Sequence, residues 1–491
     1  MNIKSLISFV IIPLVLMYVL FFVEIAADQA AVKPMLCVAI LMAVWWVTEV
    51  VPLAVTSLIP VALFPLLGIM DGKDVSTAYF NDVIFLFMGG FLVALAMEKW
   101  MLHKRMALYV LAITGTSPAR ILLGFMLSSF LLSMWISNTA TVMMLLPITL
   151  SLLNNMNAYY TKEDSNRFGA GLLLGVAYSA SIGGIATLVG TPPNLSFVRI
   201  FHIYFPDAAE VSFAQWLIFA FPLSLSIFIL VWAYLFIRFK PAANRNKMAK
   251  KNLFRQQLQQ MGKMKYEEKI VLLVFVLLAL FWITRSNLAI GSFTIVGWSS
   301  FFPASKFIND GTVAIFMALL LFLIPSGNKN EKILDWATSS RLPWHILLLF
   351  GGGFALATGF KESGLALWFG NQLSAFTALP PIVVILMISL LVTFLTEVTS
   401  NTATTEMILP ILAGIAIQNN LNPLLLMIPA TLSASMAFML PVATPPNAII
   451  FGSSRISVAQ MAKTGLFINL LAAVIITLAT YYWGNIVFHL R

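Results

Sequence analysis

Residues Ser137–Ile148 read SNTATVMMLLPI, and residues Ser400–Ile411 read SNTATTEMILPI. Nine of the twelve positions agree at an offset of 263 residues, and both copies lie in stretches apolar enough for lipid. The match extends outward from there. At the same offset FMGGFLVA (Phe87–Ala94) aligns with FGGGFALA (Phe350–Ala357). Downstream, GTPPN (Gly190–Asn194) aligns with ATPPN (Ala443–Asn447) at an offset of 253, so the second copy has lost ten residues in between. Each half therefore carries a glycine-rich helix, an SNTAT segment and a TPPN segment in that order. A fold reading must accommodate this duplication first.

The chain of 491 residues is 60% hydrophobic and 10% charged, whereas soluble domains carry roughly 25% charged residues. This is the composition of a polytopic membrane protein. Ser5–Val23 is a first uncharged stretch of 19 residues, read as a span rather than a cleaved leader because it exceeds the usual leader core. The net charge of +10 is not spread as a nucleic-acid-binding surface would be. Ten Lys/Arg and two Glu lie between Arg238 and Lys269, as expected of a cytoplasmic loop under the positive-inside rule. Contact with anionic headgroups is an alternative use of that loop, and its Gln-rich centre (FRQQLQQMGKMKYEEK) reads as a surface helix. Cys37 is the single cysteine, which excludes an intrachain disulfide.

Counting crossings from an inner N-terminus at Lys4, with Glu24 and Asp28 outside, gives an all-α protein with about eleven transmembrane helices and two re-entrant hairpins. Residues 1–34 form the first span and an outer loop. Residues 35–237 form repeat 1, with spans at 35–52 and 53–70, an inner-side hairpin at 119–151 and a broken helix at 190–194. The basic cytoplasmic loop is 238–269. Residues 270–491 form repeat 2, with its inner loop around Lys329, an outer-side hairpin at 380–412, a broken helix at 443–447 and an end outside near Arg491. The two glycine-rich helices fall an odd number of spans apart, so the repeats have inverted topology. Inverted repeats with a site at the midplane are typical of secondary transporters.

Irregular backbone at membrane depth is tolerated only where it is buried in protein or lines a watery cavity. Ser137-Asn138-Thr139 and Ser400-Asn401-Thr402 supply hydroxyls, amides and main-chain groups at the hairpin tips. Pro192-Pro193 and Pro445-Pro446 interrupt their helices because proline lacks an N–H and clashes with the preceding turn. Exposed carbonyls suit a small cation and exposed N–H groups suit a carboxylate. Neither pentad nor either TPPN segment contains Lys or Arg. A bare dianion would be costly there; a cation bound beside each tip removes that objection, so the pattern favours cation-coupled anion transport over transport of an uncharged solute. A lone Ser/Thr-rich stretch is ordinarily helix-packing glue; two matched stretches, each followed by TPPN, are not.

The paired SNT and TPPN motifs, with WWVTEVVPLAVTSLIP (Trp45–Pro60) and TEVTSNTATT (Thr396–Thr405), resemble the divalent anion/sodium symporter family over about residues 35–485. LSASMAFMLPVATPPNAI (Leu432–Ile449) is similar to the sodium-coupled di- and tricarboxylate carriers. The resemblance implies a homodimer in the lipid bilayer, with scaffold domains at the interface and transport domains that move like elevators. It implies substrate contacts from Asn138, Thr139, Asn401 and Thr402, flanked by Ser137, Ser400, Thr191 and Thr444. It also implies one Na⁺ site at Ser133, Ser137, Asn138 and the Gly190 carbonyl. A second lies at Thr396, Asn401 and the Ala443 carbonyl.

The expected activity is Na⁺-coupled symport of C4-dicarboxylates of the succinate, fumarate and malate type across a plasma or bacterial inner membrane, with no organic cofactor. A Na⁺-independent dicarboxylate exchanger and a citrate-preferring symporter are the alternatives. Four scattered His, no HExxH or GxSxG, and no paired carboxylates on one helix face speak against an enzyme. A channel has little need of paired inverted hairpins. Glu49 and Glu397, in apolar stretches, are expected to be structural ahead of any part in coupling. Glu406 is open between the two roles. His103 and His202 have no metal-ligand company.

Overall fold

The computed structural model describes residues 7–25, 29–156, 160–242, 253–290, 293–328, 331–373, 379–488 and 490. Lys4, Asp28, residues 243–252 of the basic loop, Lys329 and Arg491 lie outside the described residues. The described chain is helical apart from one short antiparallel pair, Leu288–Ile290 with Phe293–Ile295. Among the described residues four helical stretches are long and apolar enough to cross a membrane: Gly72–Lys99, Asn138–Met156, Phe213–Phe239 and Val458–Phe488.

The duplication is visible element by element. The first glycine-rich helix, Asp82–Lys99, starts where the Asn81 side chain accepts from the N–H groups of Val83 and Ile84. Its counterpart is Trp344–Glu362. Each is followed by a shorter helix the sequence reading had not separated, Leu102–Thr114 and Leu365–Gln372, whose first residues are again 263 apart. Next come the two hairpins. The first pairs Pro118–Ser133 with Asn138–Met156, and the second pairs Pro381–Thr396 with Asn401–Gln418. In both, Pro occupies the first helical turn, where its missing N–H removes no intrahelical bond.

Two broken pairs complete the halves: Lys162–Gly184 with Pro192–Tyr204, and Leu424–Ala434 with Pro445–Phe451. The packing recurs as well. Both arms of each hairpin pack on the first segment of the broken pair that follows, and the next long helix (Phe213–Phe239 or Val458–Leu478) packs there too. The halves meet at equivalent residues. Phe87 and Phe350, related by the 263-residue offset, contact edge to face with centroids 5.1 Å apart and an interplanar angle of 87°. A residue that touches its own counterpart lies on the axis relating two copies.

Two expectations need adjustment. The span foreseen at 53–70 is not one helix: Leu53–Thr56 and Ile59–Leu66 are separate short segments. Eight residues rise about 12 Å, against a hydrocarbon core of about 30 Å. The interruption is at 57–58; Pro60 stands in the first turn of the second segment and Pro65 inside it. The prolines of TPPN are also not inside the breaks. They are the first two residues of the resumed helices, and the irregular stretches precede them, at 185–191 and 435–444.

The Gln-rich segment does form a helix, Leu253–Gln260. It is held to Leu102–Thr114 by Arg105, which donates to the Gly262 carbonyl at 3.0 Å and pairs with Glu268.

Candidate functional site

Each hairpin tip is built the same way. The first helix ends in a buried hydroxyl residue and the second begins with an asparagine. Ser133 Oγ donates to Asn138 Oδ1 at 2.5 Å, and Thr396 Oγ1 donates to Asn401 Oδ1 at 2.8 Å. Ser133 and Thr396 are fully buried, whereas Asn138, Thr139 and Asn401 are half-buried. Thr402 is buried. The tips differ in their caps. Ser137 Oγ accepts from the Ala140 N–H at 3.2 Å, whereas Ser400 caps nothing with its side chain. The helix starting at Asn401 therefore leaves more of its first N–H groups without a side-chain partner.

At the first tip the foreseen cation ligands converge. Gly184 ends the first segment of its broken pair, and a methyl added there would lie 2.8 Å from Asn138 Oδ1 and 3.1 Å from the Gly190 carbonyl oxygen. Only glycine lets the Asn138 amide and that carbonyl share this space. Ser133, Asn138 and the Gly190 oxygen thus form one cluster, while the Ser137 hydroxyl is engaged as the helix cap. At the second tip, Thr396 and Asn401 are joined by the Ala434 carbonyl, which accepts from Thr396 Oγ1 at 2.8 Å. Ala443 lies in the adjoining break, its N–H bonded to the Leu440 carbonyl at 3.2 Å.

The asparagine of TPPN staples each break. Asn194 Nδ2 donates to the Thr187 carbonyl at 2.7 Å and lies 3.4 Å from the Gly184 and Ile185 carbonyls. Asn447 Nδ2 donates to the carbonyls of Ala437 at 3.0 Å and Leu440 at 3.1 Å. Gly184 and Thr187 are the counterparts of Ala437 and Leu440 at the 253-residue offset, so the two staples are equivalent. The sequence reading gave these asparagines no role. Their presence in both copies of TPPN was the available signal. Thr191 and Thr444 cap the resumed helices in extended conformation and are buried. Thr444 Oγ1 accepts from the Asn447 N–H at 3.3 Å. Two prolines at the start of each resumed helix delete two of its free N–H groups. Those starts therefore offer fewer backbone donors than the helices starting at Asn138 and Asn401.

The halves interlock at these ends. The helix starting at Asn138 packs on Pro445–Phe451, and the helix starting at Asn401 packs on Pro192–Tyr204. Tyr178 of the first broken pair donates to the Phe438 carbonyl in the second break at 2.8 Å. Glu397 is buried in this junction and accepts from the N–H groups of Phe438, Met439 and Leu440 and from Asn469 Nδ2. That is the structural role foreseen for it. Glu49 is exposed and ends the helix Val32–Thr48 in left-handed conformation, φ 48°. Among the described residues no group of His, Cys, Asp and Glu could hold a metal ion.

The model of the sodium:sulfate symporter transmembrane region matches residues 3–490. The chain belongs to the sodium:sulfate symporter family. Within that family it is 44% identical over 490 residues to the sodium-dependent dicarboxylate transporter SdcS of Staphylococcus saprophyticus, covering 98% of this chain and 92% of the relative. It is likewise 44% identical over 454 residues to SdcS of Staphylococcus aureus strain USA300, covering 91% and 85%. Among solved structures it is similar to the Alcanivorax borkumensis YdaH transporter, with a TM-score of 0.54 at 14% identity over 83% of this chain and 86% of that one. That likeness concerns the fold alone. Family membership makes the chain a membrane transporter and not an enzyme, as the sequence reading held.

Proposed function

We propose that this protein is a Na⁺-driven symporter that imports C4-dicarboxylates of the succinate, fumarate and malate type. The observation that carries the reading is the paired tip: a hydroxyl–asparagine couple at a helix start whose first turn is uncharged, present twice and packed on the opposite half. Relatives named as sodium-dependent dicarboxylate transporters support the same choice.

In this proposal Ser133, Ser137, Asn138 and the Gly190 carbonyl bind one Na⁺, and Thr396, Asn401 and the Ala443 carbonyl bind another. Small cations suit such sets of uncharged oxygens. When Na⁺ arrives, the asparagine Oδ1 turns from its hydroxyl partner to the ion, and the Nδ2 groups of Asn138 and Asn401 stay free for substrate. Asn138, Thr139, Asn401 and Thr402 donate to the two carboxylates, with Ser137, Ser400, Thr191 and Thr444 beside them. Each helix N-terminus adds about 0.3–1 kcal/mol for an exposed anion, and up to about 2 kcal/mol when partly buried. The bound cations neutralise the dianion, which removes the desolvation objection to placing it in a dry site.

The two halves act as inverted repeats. Hairpins and broken pairs move together as a transport domain against a scaffold, and two copies of the chain form a homodimer through that scaffold. If Na⁺ outnumbers the dianion's charge by one, the membrane potential adds about 2.3 kcal/mol per 100 mV to accumulation. Uptake of labelled succinate into proteoliposomes tests the reading. An inward Na⁺ gradient should drive accumulation above equilibrium. Uptake indifferent to Na⁺ would replace the symporter with an exchanger, and citrate outcompeting succinate would move the substrate assignment.

A further inference from the structure

Glu406 lies in the second hairpin, five residues after Asn401, or about 7.5 Å deeper along the helix. It is fully buried. Ser196 Oγ donates to its Oε1, and Ser196 stands at the same depth below Thr191 in the first broken pair. Its Oε2 is buried and has no partner among the described residues. A methyl on Gly353 of the second glycine-rich helix would lie 2.1 Å from Oε2. The absent side chain at Gly353 is therefore the notch that admits the carboxyl. The repeat does not ask for an acid here. The counterpart position is Met143, which is 60% exposed.

The elements packed on this helix offer no countercharge. Pro381–Thr396, Leu424–Ala434 and Leu365–Gln372 carry no titratable group. Trp344–Glu362 carries His345, Lys361 and Glu362; Pro192–Tyr204 carries Arg199, His202 and Tyr204; and Val32–Thr48 carries Lys33 and Cys37. None of these bonds to Glu406. Lys361 donates to the Ile203 carbonyl, Tyr204 to the Ala357 carbonyl, and Arg199 faces Asp82. An ionisable side chain buried at membrane depth marks a functional site by default. A metal cation would need several oxygens around the carboxyl, whose one hydrogen-bond partner among the described residues is Ser196, on Oε1. A proton needs one.

We infer that Glu406 is a proton-binding site linked to occupancy of the two tips. Its charge, when present, lies below the pocket proposed for a dianion and opposes it. A proton on Glu406 therefore favours substrate, and by reciprocity substrate binding draws a proton onto Glu406. The linkage rests on the proposed dicarboxylate site; the proton site itself does not.

Two measurements on the purified full-length protein separate these parts. Infrared spectroscopy of the substrate-free protein, titrated with acid, should show the band of a protonated carboxyl grow in at a midpoint that Glu406→Gln removes, and above that midpoint Glu406 has a proton to gain. An unchanged band in the variant overturns the proton site, whatever the substrate proves to be. Calorimetric titration with succinate at saturating Na⁺, in buffers of different ionisation enthalpy, should then count protons taken up on binding. The wild type should take up protons that Glu406→Gln does not, and its affinity should weaken about tenfold as pH rises through the titration of Glu406, while the variant stays flat. Equal proton counts in the two proteins overturn the linkage. A lower Na⁺ Hill coefficient in Glu406→Gln with an unchanged proton count would make this a sodium site instead. Ser196→Ala keeps the carboxyl but removes its donor, and must shift the pH of proton uptake. An unshifted profile counts against the assignment.

Discussion

The two joints between hairpin tip and helix break occupy equivalent places and are fastened differently. In the first half the fastening is neutral. The Gly190 N–H donates to Thr187 Oγ1 at 3.1 Å, and Thr187 Oγ1 donates to the Met134 carbonyl at 2.5 Å. In the second half the counterparts of Met134 and Thr187 are Glu397 and Leu440. There one carboxylate gathers three successive backbone N–H groups, at 2.7, 2.8 and 3.0 Å, and the Asn469 amide at 2.7 Å. The counterpart of Asn469 is Trp216, whose indole N–H instead donates to the Ile185 carbonyl at 3.0 Å. All four groups around Glu397 are donors, an arrangement that suits an acceptor-only carboxylate. Two copies of one motif have thus settled on a hydroxyl relay and on a buried charge. The second joint has more to lose when its fastener is removed.

The largest effects should be shared by both halves. Asn138→Ala and Asn401→Ala each remove the one amide at a tip, and either should abolish succinate uptake while the protein still reaches the membrane. Near-normal uptake by one of them would confine substrate recognition to the other half. The next effect should divide the halves. Glu397→Ala strands three N–H groups and an amide in a dry joint, at about 1–3 kcal/mol for each donor left unpaired. With some refilling by water, a loss of about 3–5 kcal/mol is expected, a large part of the about 5–15 kcal/mol typical of a domain. Thermal unfolding in detergent measures it. Glu397→Gln should recover less than half, because its NH₂ group opposes donors. Full recovery by Gln would mean that the negative charge has no part in the joint.

How much of this was legible follows from what repeats and what does not. The glycine-rich helices, tips and TPPN segments were readable because the same residues occur twice at fixed offsets, and the structure pairs Ser133 with Asn138 as it pairs Thr396 with Asn401. The breaks were misplaced by a few residues because proline was read as a breaker. At the first turn it is a starter, since the N–H it lacks is unpaired there anyway. The fastening of the joints was not legible. Met134 acts through its backbone carbonyl and Glu397 through its side chain, and only the folded chain shows that both bond to the break. Glu397, in an apolar stretch, is expected to be structural, but its partners are the Asn469 amide and backbone N–H groups 41–43 residues away, and backbone donors leave no signature in a sequence. Asn194 and Asn447 were visible in both motifs, yet their part as staples depends on carbonyls freed by an irregular turn.

Thr187→Val tests the weaker joint. It keeps the shape and deletes the hydroxyl, leaving the Gly190 N–H and one lone pair of the Met134 carbonyl unpaired. A loss of about 1–3 kcal/mol is expected, below that of Glu397→Ala. Because the Gly190 carbonyl belongs to the first proposed Na⁺ site, the half-saturating Na⁺ concentration should rise as well. A destabilisation equal to that of Glu397→Ala would erase the distinction between the joints.

The smallest effect concerns the hydroxyls themselves. Thr396 Oγ1 has one proton and two acceptors, Asn401 Oδ1 and the Ala434 carbonyl, both at 2.8 Å, and can donate fully to only one at a time. When a cation draws Asn401 Oδ1 away, the proton has the Ala434 carbonyl to turn to. Ser133 Oγ donates to Asn138 Oδ1 and has no second acceptor among the described residues. Freeing Asn138 for a cation therefore costs the first tip more than freeing Asn401 costs the second. Thr396→Ser retains the proton and both acceptors and deletes one buried methyl, worth about 0.8 kcal/mol of stability. Its half-saturating Na⁺ concentration should stay within about twofold of the wild type, about 0.4 kcal/mol. Thr396→Val, without the hydroxyl, should exceed that by severalfold. If Thr396→Ser shifts Na⁺ dependence as far as Thr396→Val does, the methyl and its packing set the site, and the proton exchange at the second tip is not what distinguishes it from the first.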